Sequence, residues 1–177
     1  MSNWDKWQYN GSDISKLKRV EDISLEDITK LENSIYNSLF CYCPNRDKFL
    51  YDHAIEIIDS ASATFDGEPD QNIYLYDKKK RTSSMPFSIG TAGRCQATSW
   101  IDDDVFIMMG YIYQWSDTLK DNSKPPIRLF LYLCSVKNNN IEHYLGPVFS
   151  EAQYKSIWKK HAYYSREIRH FKAVNPQ

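Results

Sequence analysis

Hydrophobic positions along this chain change period twice. Leu25, Ile28, Leu31, Ile35 and Leu39 recur at helical spacing behind Ser24, with Glu26 and Asp27 in the first turn, so the pattern predicts a helix running to about Phe40. Pro44 and Asn45 interrupt it. A second helical spacing, through Leu50, Ala54, Ile57, Ile58 and Ala61, predicts another helix that ends before Asp66, Gly67 and Pro69. From Asn72 the period falls to two. Strands are predicted over 72–77, 94–100, 105–115, 127–136 and 141–145, separated by turn-forming clusters such as 102–104 and 138–140, with 82–93 taken as a Ser- and Gly-containing loop. In 127–136 both alternating sets are apolar, Leu129, Leu131 and Leu133 against Phe130, Tyr132 and Cys134, as expected of a central strand covered on both faces.

The C-terminal segment returns to helical period. Ser150 and Gln153 form a capping-box pattern, and Tyr154, Ile157, His161, Tyr164, Ile168 and Phe171 gather on one arc, opposite Lys155, Lys159, Arg166 and Arg169. The order predicts one α+β domain over residues 1–177: an antiparallel meander of four to five strands, flanked by two N-terminal helices and one C-terminal amphipathic helix. Residues 1–23, in which polar residues lie around Trp4, Trp7 and Tyr9, are expected to dock on the body as an arm.

Composition narrows the function classes. The 177 residues carry 22 Lys+Arg and 23 Asp+Glu, so no global field marks a nucleic-acid or anionic-membrane protein. The charge is uneven, however: residues 1–70 hold 7 basic and 14 acidic side chains, whereas 151–177 hold 6 and 2. The opening residues lack the apolar core of a secretory signal, and no apolar run is long enough to span a bilayer. A cytoplasmic protein with four reduced cysteines and no membrane partner is expected.

Candidate chemistry is sparse. Cys95 follows Gly90 and Gly93, and His143 lies on a later strand, an order compatible with a thiol hydrolase in which Asp103, or its neighbours Asp102 and Asp104, orients the imidazole. A buried strand cysteine is the plainer reading of Cys95. Cys41, Cys43 and His53 lack the spacing of a zinc site, and no metal or other cofactor is expected. Asp70, Asp77 and Lys79 spell the letters of a Mg²⁺-dependent nuclease site, but with both carboxylates bracketing one strand. The basic stripe Lys155, Lys159, Arg166 and Arg169 offers a nucleic-acid alternative. Tyr111, Tyr113 and Trp115, on one face of the longest predicted strand, offer a protein-binding face. The reading favours a small binding protein, acting sterically as an inhibitor, immunity or accessory factor of bacterial or phage type, with another protein as partner.

Overall fold

A computed structural model of the chain describes residues 7–14, 18–22, 24–34, 37, 40–53, 55–59, 64–67, 70–115 and 124–159. In chain order the elements are β1 (Gln8–Ile14), β2 (Lys18–Asp22), α1 (Leu25–Glu32), β3 (Cys41–Tyr42), β4 (Lys48–Asp52), β5 (Ile55–Asp59) and β6 (Thr64–Gly67). There follow β7 (Gln71–Asp77), β8 (Thr82–Ile89), β9 (Gly93–Trp100), β10 (Val105–Tyr113), β11 (Ile127–Ser135), β12 (Asn140–Phe149) and α2 (Glu151–Lys159). One five-stranded sheet has the order β1-β12-β11-β10-β9 and a second has β2-β8-β7-β4-β3, while β5 and β6 form a separate pair. All the pairings are antiparallel.

The two sheets pack face to face. Phe106, Met108, Phe130 and Cys134 of the first meet Leu50, Ile73, Leu75 and Phe87 of the second in a shared core. Alternation along each strand sends the other set of side chains outward. On the second sheet the outward set is aromatic, with Phe49 stacked between Phe40 and Tyr76 at centroid distances of 4.6 and 4.9 Å, and α1 places Ile28 against this cluster. On the first sheet the outward set is Ile107, Met109, Leu129 and Leu131, and α2 lays Tyr154 over it. The layers therefore run α1, second sheet, first sheet, α2.

The meander is β9 to β12, with β11 at the centre of its sheet and covered on both faces, as its doubly apolar sequence implies. Three expectations are corrected. Residues assigned to a second N-terminal helix form β4 and β5 instead. Phe49, Leu50 and Tyr51 are all buried because β4 lies between α1's cluster and the opposing sheet, and a strand covered on both sides has no period-two signature to set against the accidental helical spacing. The Ser-rich stretch taken as a loop is β8, which carries Pro86 in a register shift between its pairings to Ile73 and Leu75. The first helix is short. Ser24 caps it as expected, its Oγ accepting from Asp27 N at 3.0 Å. It closes at Asn33, where Ser34 Oγ donates to the Leu31 carbonyl at 2.6 Å; Ile35 and Leu39 lie outside the described residues.

The two predicted N-terminal helices thus reduce to one, and β7 belongs to the second sheet rather than to the meander. The N-terminal segment contributes edge strands: β1 pairs with β12 and β2 with β8. Trp7, just before β1, lies on the outer face of the first sheet, where Gly146 leaves room for its ring; a Cβ there would meet two indole carbons at 3.0 Å. At Gly110 the requirement is stronger. A Cβ would collide with the Arg94 carbonyl and come within 2.6 Å of Phe130 Cζ, at the bulge that shifts β9 against β10. No helix among the described residues is long and apolar enough to cross a membrane.

Candidate functional site

Cys95 sits on the edge strand β9 with its side chain directed into the core between the sheets. Its thiol donates to the carbonyls of Ala97 and Met109, both at 3.6 Å, and burial pushes it up to about 12. A thiol in that setting is protonated at neutral pH and almost wholly buried. His143 lies on β12, its ring stacked on Tyr132 at a centroid distance of 4.5 Å. Two whole strands, β10 and β11, separate it from Cys95, roughly 14 Å at about 4.8 Å per strand. Asp103 lies in the β9–β10 turn, where its Oδ1 accepts from Asn45 N at 2.8 Å and its carbonyl from Lys48 Nζ at 2.9 Å. The structure therefore does not bring Cys95, His143 and Asp103 together. A cavity of about 160 Å³ beside Cys95 is lined by Asp52, Gln96 and Thr98 but by no histidine.

Other sequence candidates disperse likewise. Asp70 and Asp77 stand just before and at the end of the extended β7. Cys41 Sγ donates to the Thr98 carbonyl and Cys43 Sγ to Asn45 Oδ1, and among the described residues no three His, Cys, Asp or Glu side chains are placed to share a metal ion.

One predicted group does assemble. Period two along β10 puts Tyr111 and Tyr113 on the outer face of the first sheet, and the chain continues past the strand to Trp115. The rings form a row: Tyr154 to Tyr111 at 5.1 Å, Tyr111 to Tyr113 at 5.4 Å, Tyr113 to Trp115 at 6.2 Å between centroids. Successive rings are tilted or edge-on, as aromatic quadrupoles prefer. Exposure rises along the row. Tyr154 is buried and its hydroxyl bonds Gln96 Oε1, Tyr111 and Tyr113 are half-buried, and Trp115 is 68% exposed.

The sequence feature that anchors this row is the α2 cap. Ser150 and Gln153 close as a capping box, Gln153 N donating to Ser150 Oγ at 3.3 Å and Ser150 N to Gln153 Oε1 at 2.9 Å, which sets the helix so that Tyr154 falls on Tyr111. The cap also positions Glu151, whose Oε1 accepts from Lys155 at 2.8 Å and from Lys124 at 2.9 Å. Those two lysines hold the Glu151 carboxyl below its ordinary range, and Glu151 in turn holds the Lys155 ammonium above its own, with Tyr113 adding in the same direction. Arg94 is the cross-strand neighbour of Tyr111.

Of the residues in and around this row, Tyr111, Tyr113, Trp115 and Lys155 are sequence candidates, and Tyr154, Arg94, Glu151 and Lys124 are not. Tyr154 is legible only as part of the apolar arc of the C-terminal helix, and the other three carry no motif. The Lys159 side chain, Arg166 and Arg169 lie outside the described residues. Compared with known proteins, the chain matches no family model, no curated protein and no solved structure.

Proposed function

We propose that this protein works by binding another protein through the aromatic row of β10 and α2, occluding the partner's surface as an inhibitor, immunity or accessory factor does. The observation that carries this is Trp115, a large apolar side chain 68% exposed at the open end of a packed row. Interfaces draw their energy from a few aromatic and Arg anchors held rigid before contact, because a preordered side chain loses little entropy on binding. Tyr113 and Tyr111 supply that rigidity, and Arg94, Lys124, Glu151 and Lys155 form a charged rim. A protein is favoured over a nucleic acid by ring geometry. Bases stack on open aromatic faces, whereas the 75° angle between Tyr111 and Tyr113 and the 58° angle between Tyr113 and Trp115 offer no run of parallel faces.

The test is a matched comparison of wild type and W115A as baits in lysate of the source organism, after far-ultraviolet circular dichroism shows both folded. The expected result is a protein retained by wild type through nuclease treatment and depleted at least about tenfold from W115A, a loss of about 1.4 kcal/mol. Equal retention by the two baits would remove this face from the reading.

A further inference from the structure

We infer that the partner presents a carboxylate-rich segment to this face; the inference rests on the aromatic row being the binding surface and specifies what that surface recognises. It follows from a local imbalance of charge. On the second-sheet side several lysines each have an acidic partner: Lys78 with Glu32, Lys79 with Asp47, Lys80 with Asp77 and Lys48 with Asp104. Beside the aromatic row two ammonium groups, Lys124 and Lys155, converge on the same Glu151 oxygen. One carboxylate cannot neutralise both. Arg94 adds a third cation on the same outer face, as the direct cross-strand neighbour of Tyr111 and near enough to pull the Tyr111 hydroxyl downward against burial. Among the described residues, three cations against one carboxylate leave a surplus of positive charge along the row.

The surplus is not discharged within the physiological range. The Lys124–Glu151–Lys155 arrangement holds Lys155 charged above its ordinary range and Glu151 charged below its own, so the field is constant near neutral pH. The sequence from 151 to 177 carries the same sign, with 6 basic and 2 acidic residues. A partner carboxylate approaching Trp115 would accept hydrogen bonds from Lys124 and Lys155, each 60–70% exposed, while an apolar side chain beside it packs on the indole. Charge gives approach rate and orientation; the indole gives dwell time.

The test uses the full chain and a defined probe. Poly-L-glutamate is titrated into the wild-type protein while indole fluorescence is followed, with W115F as the blank for the other tryptophans. Poly-L-lysine and a short oligothymidylate are run beside it. The expected result is a saturable signal with poly-L-glutamate alone that weakens about tenfold between 50 and 200 mM NaCl, as surface charge pairs are screened. The double variant K124E/K155E, at two exposed positions, should lose it. Silence with poly-L-glutamate, or an equal response to poly-L-lysine, overturns the inference. So does a preference for oligothymidylate, which would move the site to nucleic-acid binding. If the wild-type bait retains a protein that W115A does not while poly-L-glutamate is silent, the acidic partner fails and the aromatic face stands. If W115A retains that protein equally, the face itself fails.

Discussion

The side-chain amide of Gln71 forms both hydrogen bonds that a neighbouring strand would have offered to Cys95. Gln71 Oε1 accepts from Cys95 N at 2.6 Å and its Nε2 donates to the Cys95 carbonyl at 2.8 Å and to Asp52 Oδ2 at 2.5 Å. Cys95 lies on the edge of its sheet, and Gln71 reaches it from the other sheet, so one side chain both satisfies an edge and ties the sheets together.

Removing that amide leaves two buried backbone groups without partners, each costing about 1–3 kcal/mol. Q71A should therefore lower unfolding stability by about 2–6 kcal/mol, read from urea denaturation. A loss under about 1 kcal/mol would mean that water or a local shift replaces the amide. Q71E sharpens the point by setting a carboxylate against Asp52. The pair would retain a shared proton in the folded state, so its folded titration lies above the unfolded one. Relative to wild type, Q71E should be stable at low pH and lose stability as pH rises through that raised value. A pH-independent difference would contradict the geometry.

Burial raises Cys95 to about 12 and Cys134 in the same direction. Below about 9 both states keep these thiols protonated and they contribute no pH dependence; above it the unfolded chain ionises first, so it binds fewer protons than the folded one and stability falls with pH. The midpoint of thermal unfolding should therefore drop between about pH 9 and pH 12. For the same reason Cys95 should react with iodoacetamide at pH 8 only as fast as the protein opens, slower than half-buried Cys41. Rapid labelling of Cys95 in the folded protein would contradict this packing.

Two glycines are held by what lies over them. G110A should destabilise by more than about 3 kcal/mol or prevent folding, since backbone and the Phe130 ring occupy the space. G146V should displace the Trp7 indole, costing about 1–3 kcal/mol with a red shift in tryptophan emission, while the smaller Cβ of G146A asks the ring to move only slightly. Equal stability of G146V and wild type would remove Trp7 from the outer face.

The readable parts of the sequence were those with a local cap, a wet face or, as in β11, an apolar run long enough to mark a central strand. Ser24 and the Ser150–Gln153 pair announced both helix starts, and strict alternation at Tyr111 and Tyr113 put these residues on one face of β10. Of the second sheet, β7 was legible as a strand, while β4 and β8 beside it stayed hidden. Phe49, Leu50 and Tyr51 are buried in succession, and Pro86 interrupts β8, so neither strand shows period two. The rim cations were hidden for a different reason: Arg94, Lys124 and Lys155 come from three separate segments, and only the tertiary fold sets Lys124 and Lys155 on one carboxylate and Arg94 beside Tyr111.

The account rests most directly on Trp115. A photo-crosslinking benzoylphenylalanine placed at position 115, compared with the same group at exposed position 30 on α1, would be irradiated in cells of the source organism. A discrete protein adduct from position 115 and none from position 30 is the result expected here. Adducts from position 30 alone, or none from 115 when the protein is folded and expressed at the same level, would contradict the assignment of this face.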